Sequence, residues 1–149
     1  MNTLPHVSIL VSAQDHSPDP EKFIAPFFSQ KCEKNLFEII FIDHKKHEKF
    51  QHVLGEYQSR HPEGPHFHYE VLHGMQRAKA HNLAMHMARG QLFIFFGDDF
   101  IAPPTLVSSH LALHQQETAE EIAGIGSSLL THRKRNIFYQ QLEESGELF

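Results

Sequence analysis

Residues 90–104 read GQLFIFFGDDFIAPP. Five apolar residues, Leu92 to Phe96, run into Gly97 and two adjacent carboxylates, Asp98 and Asp99. No Lys or Arg stands within several residues to offset them. Adjacent like charges repel, and a divalent cation relieves that repulsion; Mg²⁺ and Mn²⁺ prefer such oxygen ligands. Sites of this kind use one or two carboxylates and complete the shell with water and phosphate oxygens, which points to a phosphorylated ligand. Neither GxGxxG nor GxxxxGK[ST] occurs in the chain, so phosphate would be held through a metal rather than by a glycine-rich backbone cradle. An acidic turn facing solvent, with one Asp capping it, is the plain alternative.

The elements that must position these acids alternate along the chain. HVSILV (6–11) is a short β-branched strand. Asp19, Pro20 and Glu21 form a helix start, and Phe23, Ile24, Phe27 and Phe28 then share one helical face, with Pro26 inside it. LFEIIFID (36–43) reads as a buried strand. Residues 46–61 form a polar helix with Phe50, Val53, Leu54 and Tyr57 at helical spacing. HFHYEVL (66–72) alternates as a strand, and residues 76–90 form a helix stopped at Gly90. QLFIFF (91–96) is the fourth strand; a proline-started helix (103–117), a fifth strand (121–130) and a short helix (135–149) follow. Strands alternating with helices predict an α/β fold with a largely parallel sheet covered on both faces. The apolar runs at 36–42 and 92–96 read as central strands. In such sheets ligands bind outside the carboxyl ends of the strands. SAQD (12–15), DHKK (43–46) and GDDF (97–100) all fall there.

Composition limits the alternatives. The 149 residues suit one domain, and 40% hydrophobic with 21% charged content is that of a folded globular chain. A formal net charge of −5 argues against a general nucleic-acid binder. Cys32 is the single cysteine, so no intrachain disulfide forms, which fits a reducing compartment. The N-terminus has no basic n-region, and its apolar run is too short for a signal peptide or a membrane span; a cytoplasmic protein is expected.

The motifs together resemble the N-terminal, nucleotide-sugar-binding part of family 2 glycosyltransferases with the GT-A fold. VSILVSAQD (7–15) matches a first strand like VSIVIPTYN, and PFFSQ (26–30) matches a helix end near SLLAQ. FEIIFIDHKK (37–46) matches FEIIVVDDGS, and AHNLAMHMARGQLFIFFGDDF (80–100) matches ARNAGLRLARGEYIAFLDDDD. Pro104 and Leu106 follow the acids as a proline and leucine do in the family. The order and spacing hold over residues 6–130.

The resemblance implies a Rossmann-like GT-A domain over residues 1–149 that uses a UDP- or GDP-linked sugar with Mn²⁺ or Mg²⁺, and transfer to a polysaccharide, lipid or other acceptor with inversion. Carried over residue by residue, Asp99 is the metal ligand and Asp98 the ribose or metal-shell group. Ser12, Ala13 and Gln14 line the nucleoside pocket. Asp43 keeps the first acid after the second strand, whereas His44 replaces the second, which in the family often hydrogen-bonds the base. Gly97 stands where the family has its first strand-end acid. His81 replaces an Arg that approaches the donor, and Arg77 or Lys79 can supply that charge instead. Family members usually run beyond 200 residues into an acceptor-binding segment that carries the general base. This sequence stops at Phe149 with no later acid to activate an acceptor hydroxyl. A fragment, a subunit needing a partner, a homo-oligomer or a non-catalytic nucleotide-sugar-binding module are the readings this leaves.

Histidine offers a competing chemistry. Fourteen residues are His; HPEGPHFHYEVLH (61–73) holds four, and His110 and His114 stand one helical turn apart. An i,i+4 His pair can bind Zn²⁺, so a His-rich metal-binding protein is a further alternative, although no Cys or acid completes a structural zinc pattern. HRKR (132–135) reads as a solvated basic turn, with donor phosphate or an acidic membrane surface as the alternative contact.

Overall fold

The computed structural model describes residues 5–13 and 19–116, all within the unit Met1–Thr118. The expected fifth strand (121–130), last helix (135–149), HRKR turn, Gln14 and Asp15 lie outside the described residues.

Four strands, β1 (Val7–Ala13), β2 (Phe37–Asp43), β3 (His66–Val71) and β4 (Leu92–Phe96), alternate with helices α1 (Pro20–Phe28), α2 (Glu48–Arg60), α3 (Arg77–Met87) and α4 (Leu106–Gln116). They form one parallel sheet in the order β3-β2-β1-β4. Val7 is level with Phe37 and Leu92, and Ala13 with Asp43. The chain thus builds outward from β1 to β3, then returns to place β4 on the other side of β1.

Alternation along the strands sorts the core into two layers. Val7, Ile9, Val11, Ile39, Phe41 and Ile94 face α1 and α2 through Phe23, Phe27, Phe50 and Leu54, and the start of α4 joins them through Val107. Phe41 and Phe50 stack with ring centroids 4.3 Å apart, and Phe23, Phe27, Phe67 and Phe96 meet around them, mostly edge-on. Interlocking phenyl rings fill this layer and account for much of the high Phe content. On the opposite face Leu10, Ile40 and Ile42 pack under α3, whose Ala80 and Ala84 permit close approach.

The sheet departs from expectation at β4. The apolar run at 92–96 reads as a strand buried on both faces, yet Phe93 and Phe95 are 37% and 55% exposed. The physical reason is that α3 sits over β1 and β2 and, among the described residues, β4 is an edge strand. Strand β1 also runs two residues further than its sequence pattern, through Ser12 and Ala13. Pro26 is accommodated inside α1, which ends at Phe28. The first residues of the expected 103–117 helix form a turn closed by the Leu106 N–H on the Pro103 carbonyl at 3.0 Å, and α4 begins at Leu106.

A polar brace closes the amino-terminal edge of the sheet. Glu38 is buried, and its carboxylate accepts from Ser8 Oγ at 2.7 Å, from the Arg89 N–H at 2.7 Å and from Arg89 Nε at 2.9 Å. The Gly90 N–H donates to Ser8 Oγ at 2.9 Å. Burial opposes ionisation of Glu38, but the Arg89 N–H, the Ser8 hydroxyl and the guanidinium outweigh it, so its carboxyl titrates below the ordinary glutamate range. Gly90 is not the helix stop that its position suggests: α3 ends at Met87 with Ala88 as its cap. Glycine is needed because a Cβ there would lie 2.7 Å from the backbone of Val7 and Ser8.

Candidate functional site

The strand order reverses between β1 and β4, and an open α/β sheet offers its ligand crevice at the carboxyl ends beside that reversal. Three segments end there: Ser12–Ala13 on β1, Asp43–His44 on β2 and Gly97–Asp98–Asp99 on β4.

The acidic segment is a tight turn. The Phe100 N–H donates to the Gly97 carbonyl at 3.3 Å, placing Asp98 and Asp99 at its two central positions. Asp98 is buried and Asp99 exposed. A Cβ at Gly97 would lie 2.6 Å from Asp99 Oδ1 and 2.6 Å from the Phe100 ring, so the acid that the family resemblance places here would require both exposed side chains to shift. Asp99 therefore folds its carboxylate back toward the strand end. Two hard carboxylates on one turn suit Mg²⁺ or Mn²⁺. Among the described residues no three His, Cys, Asp or Glu side chains converge as a metal cluster. The pair alone fits a cation whose remaining ligands are phosphate oxygens and water, not a closed structural site. That arrangement also bears on the His-rich alternative: His110 and His114 have no third ligand among the described residues.

Beside this turn, β1 and β2 end in a buried pair. Ser12 Oγ lies 2.9 Å from His44 Nε2, and the His44 N–H donates to the Ala13 carbonyl at 3.1 Å. Ser12 and His44, assigned to the nucleoside pocket, are thus brought into contact. The Ala13 side chain belongs to the α1–α2 core, so only its backbone is left to face the carboxyl end of the sheet.

Asp43 serves the loop that follows it. Its buried carboxylate accepts the N–H groups of Lys45 and His47, each at 2.9 Å, the His47 Nδ1–H at 2.9 Å and the Tyr69 hydroxyl. Burial raises its pKa, but the Tyr69 hydroxyl and the bonds from Lys45 and His47 reverse that, and the group titrates below the ordinary aspartate range. Tyr69 is correspondingly pushed up by burial and by the same bond. This hub holds Lys46 in the left-handed region at φ 60°, a conformation costly for a residue with a Cβ unless its surroundings impose it.

His81 stands on α3 with its ring edge-on to Phe95, centroids 5.4 Å apart. Burial, then the charges of Arg77 and His44, lower its pKa, so the ring is neutral over most of the physiological range. Lys79 and Arg77 are exposed on the same first turns of α3. The apolar groove between Lys22, Ala25, Pro26 and Ser29 of α1 and Ile101, Ala102 and Pro104 lies beside the strap after the acidic turn and contains none of these candidates.

Sequence reasoning missed Tyr69, Glu38, Arg89 and Gln30. A Glu inside FEIIFID was a usable signal, since a charge in a buried strand requires a partner. Gln30 offered none.

Comparison with known proteins agrees with this architecture. Residues 8–129 match glycosyl transferase family 2, and the chain belongs to that family. The mannosyltransferase PcManGT from Pyrobaculum calidifontis, solved in complex with GDP-Man and Mn²⁺, superposes with a TM-score of 0.55 at 19% identity over 68% of this chain and 29% of its own. TarS 1-349 of S. aureus superposes with a TM-score of 0.63 at 14% identity over 85% of this chain and 40% of its own. The same protein in complex with UDP gives 0.56 at 17% identity, over 73% and 32%. The fold is therefore the GT-A fold, and the chain spans well under half the length of these structures. No curated protein matches significantly. No helix among the described residues is long and apolar enough to cross a membrane.

Proposed function

We propose that this chain binds the donor of a metal-dependent glycosyltransferase, a nucleoside-diphosphate sugar, at the carboxyl ends of β1, β2 and β4. The observation that carries the reading is the Asp98–Asp99 turn at the strand-order reversal, next to the Ser12–His44 pair. Asp99, exposed, would hold Mn²⁺ or Mg²⁺, and Asp98 the ribose or the metal shell. Ser12 and His44 would face the base, with Arg77, Lys79 and His81 toward the donor from α3. The complexes of PcManGT with GDP-Man and Mn²⁺ and of TarS with UDP support both ligands. The bound cation would offset the charge of the departing diphosphate. The chain's own part is to fix the nucleotide so that the anomeric carbon faces an acceptor.

Calorimetric titration with UDP and GDP, with and without Mn²⁺, tests this. Mn²⁺-dependent binding that Asp99→Ala weakens at least tenfold, about 1.4 kcal/mol, is expected. Equal affinity without metal, or in the variant, removes the reading. Release of free sugar from the donor, or its transfer, distinguishes an active enzyme from a non-catalytic binding module.

A further inference from the structure

The acidic turn is followed by Ile101, Ala102, Pro103 and Pro104, a strap that leads to α4. Two consecutive prolines remove two backbone donors, so the strap can be held at those positions only through its carbonyls. The first N–H groups of α4 likewise lack partners within the helix and need an acceptor from elsewhere. One buried side chain meets both needs. Gln30, 4% exposed at the end of α1, donates from Nε2 to the Pro103 carbonyl at 2.7 Å and to the Pro26 carbonyl at 3.1 Å. Its Oε1 accepts the Val107 N–H at 3.2 Å. The neighbouring Lys31 N–H donates to the Pro104 carbonyl at 2.7 Å, and the Leu106 N–H shares the Pro103 carbonyl at 3.0 Å. Ala102, buried between them, packs into the core.

We infer that Gln30 is a positioning residue for the acidic turn: by clasping the strap at Pro103 and the start of α4 at Val107 it sets where Asp98 and Asp99 stand at the end of β4. The chemistry is specific to a primary amide. Glu keeps the acceptor and loses the donor, Met keeps the volume and loses both, and Asn is a methylene too short. Asp99 is four residues from Pro103. Releasing Gln30 therefore loosens the strap at Pro103, leaving the Lys31–Pro104 hydrogen bond and buried Ala102 to hold that flank of the turn. The consequence for ligand binding rests on the proposed function; the clasp itself does not.

The test uses the full 149-residue chain. Amide hydrogen exchange and UDP titration with and without Mn²⁺ are measured for wild type, Gln30→Met, Gln30→Glu and, as a destabilised control remote from the strap, Leu54→Ala. In Gln30→Met the amides of Phe100 to Val107 should exchange at least tenfold faster while those of β1 and β2 keep their rates. The Mn²⁺-dependent gain in UDP affinity should fall at least fivefold with metal-free affinity unchanged. In Gln30→Glu, Phe100 and Leu106, whose N–H groups bond the Gly97 and Pro103 carbonyls, should lose protection while Val107 retains it, and this variant decides the matter if Gln30→Met does not fold. Wild-type exchange in the strap of the Gln30 variants overturns the clasp. An unaltered Mn²⁺ gain, or the same loss in Leu54→Ala, overturns the positioning role. A wild-type chain without any Mn²⁺ gain overturns the proposed function instead, and the clasp is then decided by the exchange rates alone.

Discussion

Ser12 Oγ and His44 Nε2 lie 2.9 Å apart and close the carboxyl ends of β1 and β2 against each other. Ser12 and His44 are both buried, and this contact fixes the Nε2 edge of the imidazole. The family resemblance puts an acid at position 44, and an imidazole offers one acceptor where a carboxylate offers several.

His44→Asp should therefore raise the preference for UDP over GDP at least fivefold, read as the ratio of dissociation constants in the presence of Mn²⁺. Ser12→Ala should leave the ring unanchored and weaken both nucleotides by a similar factor. An unchanged ratio in His44→Asp means that residue 44 does not meet the base.

Asp43 gives a different expectation. Removing its carboxylate leaves the Tyr69 hydroxyl and the Lys45 and His47 N–H groups without their acceptor. Leaving a buried donor unpaired costs about 1–3 kcal/mol, and these three are only partly buried, so Asp43→Ala should lower stability by roughly 2–4 kcal/mol in urea unfolding. Tyr69→Phe, which removes the hydroxyl and leaves the Asp43 carboxylate with its other donors, should cost about 1 kcal/mol. If Asp43→Ala keeps wild-type stability and loses only nucleotide affinity, Asp43 is a ligand contact and not a loop hub.

Glu38, braced by Arg89, is a buried carboxylate that, like Asp43, ties stability to acid pH. Its folded pKa is depressed, so the unfolded chain binds the proton more readily than the folded one. The stabilisation is complete above the ordinary glutamate pKa, about 4.3, and is lost as pH falls through the lower folded value. Glu38→Gln should cost about 1.5–3 kcal/mol at pH 7. It should also flatten the fall of the unfolding midpoint between about pH 5 and pH 3. An acid limb as steep as that of wild type would show that other carboxylates dominate.

Gly90→Ala tests the close approach of two segments far apart in sequence. The added methyl would lie 2.7 Å from Ser8 N and Val7 C, atoms that belong to a central strand and cannot yield. Overpacking of this kind costs about 1–3 kcal/mol. Gly55→Ala, with nothing within 4 Å of its added Cβ, is the matched control and should be neutral or stabilising, because Gly55 lies inside α2. Equal stability of the two variants would show that the backbone at Gly90 relaxes freely.

Much of this protein was legible in its residues alone. The β-branched and aromatic runs, separated by helical spacing and turn residues, are local signals, and they determined four strands, four helices and their parallel alternation. The acidic pair, and its place after a strand, also follow from local order. The tertiary structure decided what depends on which strands become neighbours. Strand order left Phe93 and Phe95 exposed on β4, although their run is as apolar as that of β2. The same order brought His44 to Ser12, 32 residues earlier, and Gln30 to Pro103, 73 residues later. Asp43, which the family resemblance places at the nucleotide, also holds its own loop, because Tyr69 arrives from the neighbouring strand. Periodicity reports the face a side chain takes on its own element. Partners across the sheet are set by pairing and register, which no local pattern encodes.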